Sequence, residues 1–283
     1  MRVSAYIKKW FPAFALPTFL AFILAFIVPF GMGLYLSFTK FRTVNDAQWT
    51  GVSNYVAALT DGSFLNSLWF SVRFTVISVI TVNVFAFALA MLLTKAIRGT
   101  NLFRAVFFLP NLIGGIVLGY VWNLILTGIL KALFAQDLTY SATYGFVGLV
   151  ILVNWQMIGY MMVIYIAGFQ NIPGDVMEAA DIDGAAFWPK LFRVTIPMMA
   201  GSITICTFLT LSNCLKMFDQ NLALTSGAPN NETEGLALNI YRTFYLLRNQ
   251  QGVAQAKAVI FFVFVAVVAF FQLRATRSQE VDA

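Results

Sequence analysis

The chain has 283 residues, of which 60% are hydrophobic and only 11% charged, and its mean hydropathy is +0.79. Soluble domains carry about 25% charged residues, so this composition excludes an ordinary water-soluble domain. The net charge of +6 does not mark a nucleic-acid partner, because Lys and Arg flank apolar segments and form no continuous basic face.

The N-terminal stretch from Met1 to Trp10 resembles the charged start of a signal peptide. The apolar run from Phe11 to Phe38 greatly exceeds a signal core of about 7–15 residues, and no small-residue cleavage site ends it. It reads as a retained first span. A membrane helix needs about 20 mostly apolar residues, and spans are predicted at 13–38, 67–94, 105–127, 145–169, 198–224 and 253–273. The expected fold is therefore an all-α membrane protein of about six transmembrane helices. Pro17, Pro29, Pro110 and Pro197 lie in or at the rims of these segments, where neighbouring groups re-satisfy the freed carbonyls. The fifth segment carries Thr204, Thr207, Thr210, Ser212, Asn213, Lys216 and Asp219, so one side should line protein or a watery path. Cys206 and Cys214 fall eight residues apart on it. That is about 12 Å along a helix, too far for a disulfide, and both read as packing thiols.

With the N-terminus inside, the inner segments hold ten basic residues: Arg2, Lys8, Lys9, Lys95, Arg98, Arg104, Lys190, Arg193, Arg274 and Arg277. The outer loops hold five, Lys40, Arg42, Lys131, Arg242 and Arg248, while Arg73, Lys216 and Lys257 lie within spans. The bias predicts both termini cytoplasmic in a multi-pass cell-membrane protein. Loops 39–66 and 225–252 are then outside, and the loop 171–197 is inside.

That inner loop predicts two short helices joined by an Asp-Gly corner. Pro173 suits a helix start and Gly184 a left-handed C-terminal cap, while Pro189 is tolerated early in the second helix and Pro197 marks re-entry. Ala179 and Ala180 offer a low-profile surface beside the carboxylate of Glu178. An amphipathic helix on the membrane surface fits these residues too. The acidic first half (Asp175, Glu178, Asp181, Asp183) favours docking on protein over lying on anionic lipid.

No catalytic pattern emerges. A Gly-x-x-x-x-Gly-Lys-Ser/Thr phosphate loop is absent, a Ser-His-Asp site is impossible without histidine, and intramembrane carboxylates are too few for a metal cage. Polar side chains within membrane spans should line protein or a watery path. The central spans supply Asn111, Asn154, Trp155, Gln156, Tyr160, Thr210, Asn213, Lys216 and Asp219. Lys216 and Asp219 could instead pair one helical turn apart.

Glu178-Ala179-Ala180, Asp183-Gly184-Ala185 and Ile196-Pro197 together resemble the EAA loop of ABC-importer permeases. Phe218-Asp219, the Thr225–Pro229 segment, Tyr241 and Phe108-Leu-Pro110-Asn111 resemble the carbohydrate-uptake branch of that family, with Ala228 in place of a usual glycine. The resemblance covers roughly 65–273. The missing C-terminal Gly-x-x-Lys-Gly ending makes the chain similar to the maltose-type "F" partner, without that protein's extra N-terminal spans and large outer domain.

This resemblance implies a type I ABC importer permease fold divided into an N-terminal segment 1–66, a transmembrane domain 67–273 and a tail 274–283. It implies that Glu178, Ala179, Ala180, Asp183, Gly184 and Ala185 form a coupling helix pair. It further implies that Asn111, Gly115, Trp155, Gln156, Thr210, Asn213, Cys214 and Met217 face the substrate pathway. Trp155 matches the family residue for residue; at the others only the position carries over. The implied partners are a second homologous permease in a heterodimer, two ATPase subunits holding ATP and Mg, an extracellular solute-binding protein and a sugar. No cofactor is expected in this chain. An ATPase-independent secondary transporter or channel is the competing reading.

Overall fold

A computed structural model describes residue 11, residues 14–95 and residues 99–277. The basic start with Arg2, Lys8 and Lys9, the loop residue Arg98 and the tail after Arg277 lie outside the described residues. The elements in order are α1 (Phe14–Leu36), β1 (Thr39–Lys40), β2 (Gln48–Trp49), α2 (Ser53–Thr60), α3 (Gly62–Leu93), α4 (Thr100–Phe108), α5 (Gly115–Phe134) and α6 (Ala142–Gln170). They continue as α7 (Gly174–Ile182), α8 (Phe187–Met198), α9 (Ala200–Leu215), α10 (Asp219–Leu224), α11 (Leu236–Tyr245) and α12 (Gln251–Arg277). Among the described residues, five helices are long and apolar enough to cross a membrane, or six if the bent pair α8 and α9 counts as one. The described residues divide into two compact units: those up to 61 with 240–260, and those of 62–239 with 261–277.

In the first unit, α1 is exposed along nearly its whole length and buries only Leu36. The turn that follows pairs Thr39 with Trp49 and Lys40 with Gln48 antiparallel. The Asp46 carboxylate closes the turn by accepting the backbone N–H groups of Arg42 and Thr43 at 2.9 Å each. These bonds hold its pKa below the ordinary aspartate value. Asn54 donates to the carbonyls of Ser37 and Thr39, tying α2 to the end of α1. Lys257 is 1% exposed, and its ammonium pairs with Asp61 at 2.7 Å and donates to Thr243 at 2.8 Å. A charge in an apolar helix is tolerated when it is neutralised in this way.

The second unit is built on α3, α6 and α9. Phe146 of α6 meets Phe70 and Phe74 of α3 nearly edge-on, at 5.8 and 6.2 Å between ring centroids. Tyr165 of α6 donates to Asn83 of α3 at 2.7 Å, and Asn154 of α6 donates to Thr81 at 2.9 Å. Lipid tails are as apolar as leucine, so membrane helices adhere through such polar links and close packing. Each link contributes roughly 0.6 kcal/mol, reaching about 1.7. The closest approach is at Gly159 of α6, where an added Cβ would overlap the backbone of Phe107 and Phe108.

Two predicted spans differ from the structure. The apolar stretch 105–127 is not one helix: α4 ends at Phe108, a 3-10 turn covers Leu109–Leu112, and α5 starts at Gly115. Pro110 lacks an N–H donor and favours a break, while the unbroken hydrophobicity hides it. The stretch 198–224 is likewise divided. The chain bends 73° between α8 and α9, two residues after Pro197, and α9 stops at Leu215 before α10 begins at Asp219. Lys216 and Asp219 therefore do not share a helix, and no ion pair joins them. Cys206 and Cys214 both lie on α9, buried and free.

The contact at Gly159 generates a stability test. Gly159→Leu forces backbone apart, so it should lower stability by at least the 1–3 kcal/mol typical of overpacking. Gly128→Leu enters open space and should stay within about 0.5 kcal/mol. Thermal unfolding followed by loss of the monodisperse peak measures both; equal melting temperatures would contradict this packing.

Candidate functional site

The loop between α6 and α8 is a tight helical corner. Pro173 occupies the N-cap of α7, and Gly184 takes the left-handed conformation at φ +70°. The N–H of Ala185 donates to the carbonyl of Ala180 at 3.0 Å and that of Gly184 to Asp181 at 3.1 Å. This double closure is the Schellman arrangement that satisfies the last carbonyls of a helix. The Lys190 ammonium of α8 bridges both oxygens of Asp181 at 2.7 Å, bracing the two helices across the corner. Ala180 packs inward, 8% exposed, whereas Glu178, Ala179, Asp183 and Gly184 face outward and Ala185 is half-buried. Pro189 lies in the first turn of α8, and Pro197 lies inside its last turn.

The corner also displays large apolar side chains that the sequence reading did not select. Ile182 is 80% exposed, and Trp188 stacks on Phe192 with both rings outward. Exposed apolar side chains of this size on an otherwise acidic corner suit contact with another surface. The signal in the sequence was Ile182, Trp188 and Phe192 in a loop that the acidic residues made look hydrophilic.

A second feature is a cavity of about 430 Å³ between α6, α9 and the two interruptions of the helical chain. Asn111 reaches it from the first interruption; Lys216, Met217 and Phe218 reach it from the second. Val153, Gln156, Met157 and Tyr160 of α6 form one wall, and Asn213 and Cys214 of α9 another. Asp219 and Gln220 of α10 complete the lining. Gln220 donates to the Gln156 carbonyl oxygen at 2.8 Å, and Gln156 donates in turn to the Ile113 carbonyl at 3.3 Å. Gln156 thus satisfies a carbonyl freed by the break before α5, as buried backbone requires. The lining mixes amides, a phenol, one cation and one carboxylate, a set able to match hydroxyl groups.

Of the eight pathway positions expected from the sequence, the structure gathers Asn111, Gln156, Asn213, Cys214 and Met217 on this cavity. Gly115 lies buried behind the lining, where an added Cβ would come within 2.7 Å of the Asp219 Cβ. Thr210 is fully buried, donating to the Cys206 carbonyl at 2.8 Å and accepting from Asn83 at 3.4 Å. Trp155 is 43% exposed on another side of α6, its ring edge-on to Trp122 at 5.6 Å. Gln220 was missed because it was read as part of a continuous span, and its role depends on the break at Lys216.

Helices long and apolar enough to cross a membrane flank a polar cavity, an arrangement suited to a transport permease. The chain belongs to the family described as binding-protein-dependent transport system inner membrane component, whose sequence model matches residues 98–279. It is 42% identical over 282 residues to the probable starch degradation products transport system permease protein AmyD of Thermoanaerobacterium thermosulfurigenes, covering 96% of each chain. It is 29% identical to the multiple sugar-binding transport system permease protein MsmF of Streptococcus mutans, covering 97% of each. Among solved structures, a chain of a bacterial ABC transporter involved in import of the acidic polysaccharide alginate superposes with a TM-score of 0.81. It is 18% identical, with 98% of this chain and 99% of that chain covered. That likeness supports the shared fold.

The two environments on α9 make a chemical prediction. In a variant whose native cysteines are replaced, Asn213→Cys should react with a small hydrophilic thiol reagent more than tenfold faster than Thr210→Cys. Asn213 is exposed to the cavity, whereas Thr210 is sealed. Comparable rates, measured by mass shift over time, would mean that α9 is rotated from this orientation.

Proposed function

We propose that the chain is one of two permease subunits of an ATP-driven importer, forming half of the membrane pathway for a sugar or oligosaccharide. The observation that carries this reading is the braced, outward-facing corner at Gly184. It belongs to the same compact unit as the polar cavity. Family membership supports the permease assignment, and the names of the relatives AmyD and MsmF support carbohydrate as the cargo class. The hydroxyl-matching lining agrees with it.

In this reading Glu178, Ala179, Ala180, Asp183, Gly184 and Ala185 form the surface that seats on an ATPase subunit, and residues 67–273 act as the transmembrane domain. ATP and Mg are bound by two such partners, and this chain is not itself an enzyme. An extracellular binding protein delivers the sugar to the side opposite the corner. Both termini are cytoplasmic, as the distribution of Lys and Arg supports.

The mechanism follows from stiffness. The capped Gly184 corner and the Asp181–Lys190 bridge tie α7 to α8. The chain then turns 73° into α9, 16 residues or about 24 Å long, whose far end carries Asn213 and Cys214 on the cavity. Displacement of the corner by the ATPase is thereby delivered to the cavity wall. Asn111, Gln156, Asn213, Cys214 and Met217 contact the passing sugar, while Trp155, Thr210 and Gly115 shape the pathway from positions outside the cavity lining.

Gly184→Val places a β-branched side chain where a left-handed backbone penalises any Cβ by about 1–2 kcal/mol, and Glu178→Lys reverses an exposed charge. Both variants should insert in normal amount, yet sugar uptake into proteoliposomes should fall at least tenfold. The ATPase should either dissociate or hydrolyse ATP without transport. Wild-type uptake together with wild-type ATPase retention in both variants would remove the support for coupling through this corner.

A further inference from the structure

Helix α3 has 32 residues, about 48 Å of length, whereas the hydrocarbon core of a bilayer is only about 30 Å thick. The stretch from Phe74 to Leu93 is sufficient to cross it. Arg73 then lies at the hydrocarbon boundary, with the preceding turns of α3 projecting among and beyond the lipid headgroups. Trp69, one turn earlier, lies under the guanidinium at 5.7 Å, and tryptophan is enriched at that depth.

Arg73 is exposed, and no hydrogen bond or ion pair to another described residue engages its guanidinium. Two hollows meet at it. On one side an apolar groove of about 460 Å³ runs along Val76 and Ile77 of α3 and Phe146 of α6. On the other a polar hollow of about 490 Å³ is lined by Asn66, Asn230 and Asn231. Glu232 borders both hollows, as Arg73 does, yet the two charges form no ion pair.

An arginine and a carboxylate left unpaired at the edge of hydrocarbon call for a ligand that carries both complementary charges. A purely anionic headgroup would satisfy Arg73 but be repelled by Glu232. We propose that this cleft binds one aminophospholipid, such as phosphatidylethanolamine. The phosphodiester takes the Arg73 guanidinium, the primary ammonium donates to Glu232 and the adjacent asparagines, and an acyl chain occupies the groove along Val76, Ile77 and Phe146. Guanidinium is suited to this because it binds phosphate with two parallel N–H donors and stacks on an aromatic ring.

The test uses the purified transporter, delipidated and then titrated with phosphatidylethanolamine, phosphatidylcholine or phosphatidylglycerol while native mass spectrometry counts bound lipid. The expected result is one phosphatidylethanolamine held at least fivefold more tightly than either other lipid. Arg73→Ala should weaken it at least tenfold, and Arg73→Lys should retain most of the binding. Glu232→Gln should bring phosphatidylethanolamine and phosphatidylcholine to equal affinity. Because Glu232 is exposed on a loop, that variant carries the test even if Arg73→Ala fails to insert. Equal affinities in the wild type, a preference for phosphatidylglycerol, or no change on Glu232→Gln would overturn the proposal. So would a photo-crosslinker at Val76 that captures a protein subunit instead of lipid.

Discussion

Hydrocarbon offers no hydrogen bonds to a polypeptide, and the rest of this structure depends on that constraint. A chain crossing it must satisfy its own backbone, so a helix can be interrupted only where protein or enclosed water supplies partners. Residues 62–239 contain interruptions at 109–114 and at 216–218, and both open onto the same cavity. The carbonyl of Ile113 accepts from Gln156, and Gln156 accepts from Gln220. The carbonyl of Leu224 at the end of α10 accepts from Asn123 at 2.6 Å. The polar groups that line the cavity are in part the same groups that make its broken backbone tolerable.

Close packing is the second half of the same argument. Gly159 lets α6 lie against the backbone of Phe107 and Phe108, and Gly119 lets α5 lie against Ala223, where an added Cβ would come within 2.5 Å. Small residues substitute for a hydrophobic driving force that lipid cannot supply. Gly159 holds the segment leading to Asn111 against α6, and Gly119 holds α10 against α5, both glycines lying outside the cavity lining. The buried Lys257 follows the same logic of satisfaction in the other unit, its charge matched by Asp61 and a further N–H donated to the Thr243 hydroxyl.

The corner at Gly184 obeys a different rule, because it is exposed and need not resist hydrocarbon. Its shape comes from helix-capping geometry and one ion pair, both local in sequence. Within this short segment Ala180 anchors inward while Glu178, Ala179 and Ile182 remain displayed. Arg73 and Glu232 present the opposite case, distant in the chain and brought to one cleft only by the packing of α3, α6 and the loop after α10.

Composition and hydropathy were sufficient to announce a helical membrane protein, because burial in lipid demands long apolar runs that are visible residue by residue. The corner from Pro173 through Gly184 was equally legible, since capping depends on neighbours within a few positions. The sequence could not disclose that 105–127 and 198–224 are broken, because hydropathy averages over a window and a proline or a polar pair does not by itself state whether neighbours will receive the freed carbonyls. Nor could it separate Asn213, which faces the cavity, from Thr210, which is sealed against Asn83 and Cys206 less than one turn away. Trp155 and Gln156 are adjacent in sequence yet point to different surroundings. Which side of a uniformly apolar helix meets protein, cavity or lipid is decided by the other helices. Only the tertiary structure, through contacts such as Gly159 on Phe107, determines it.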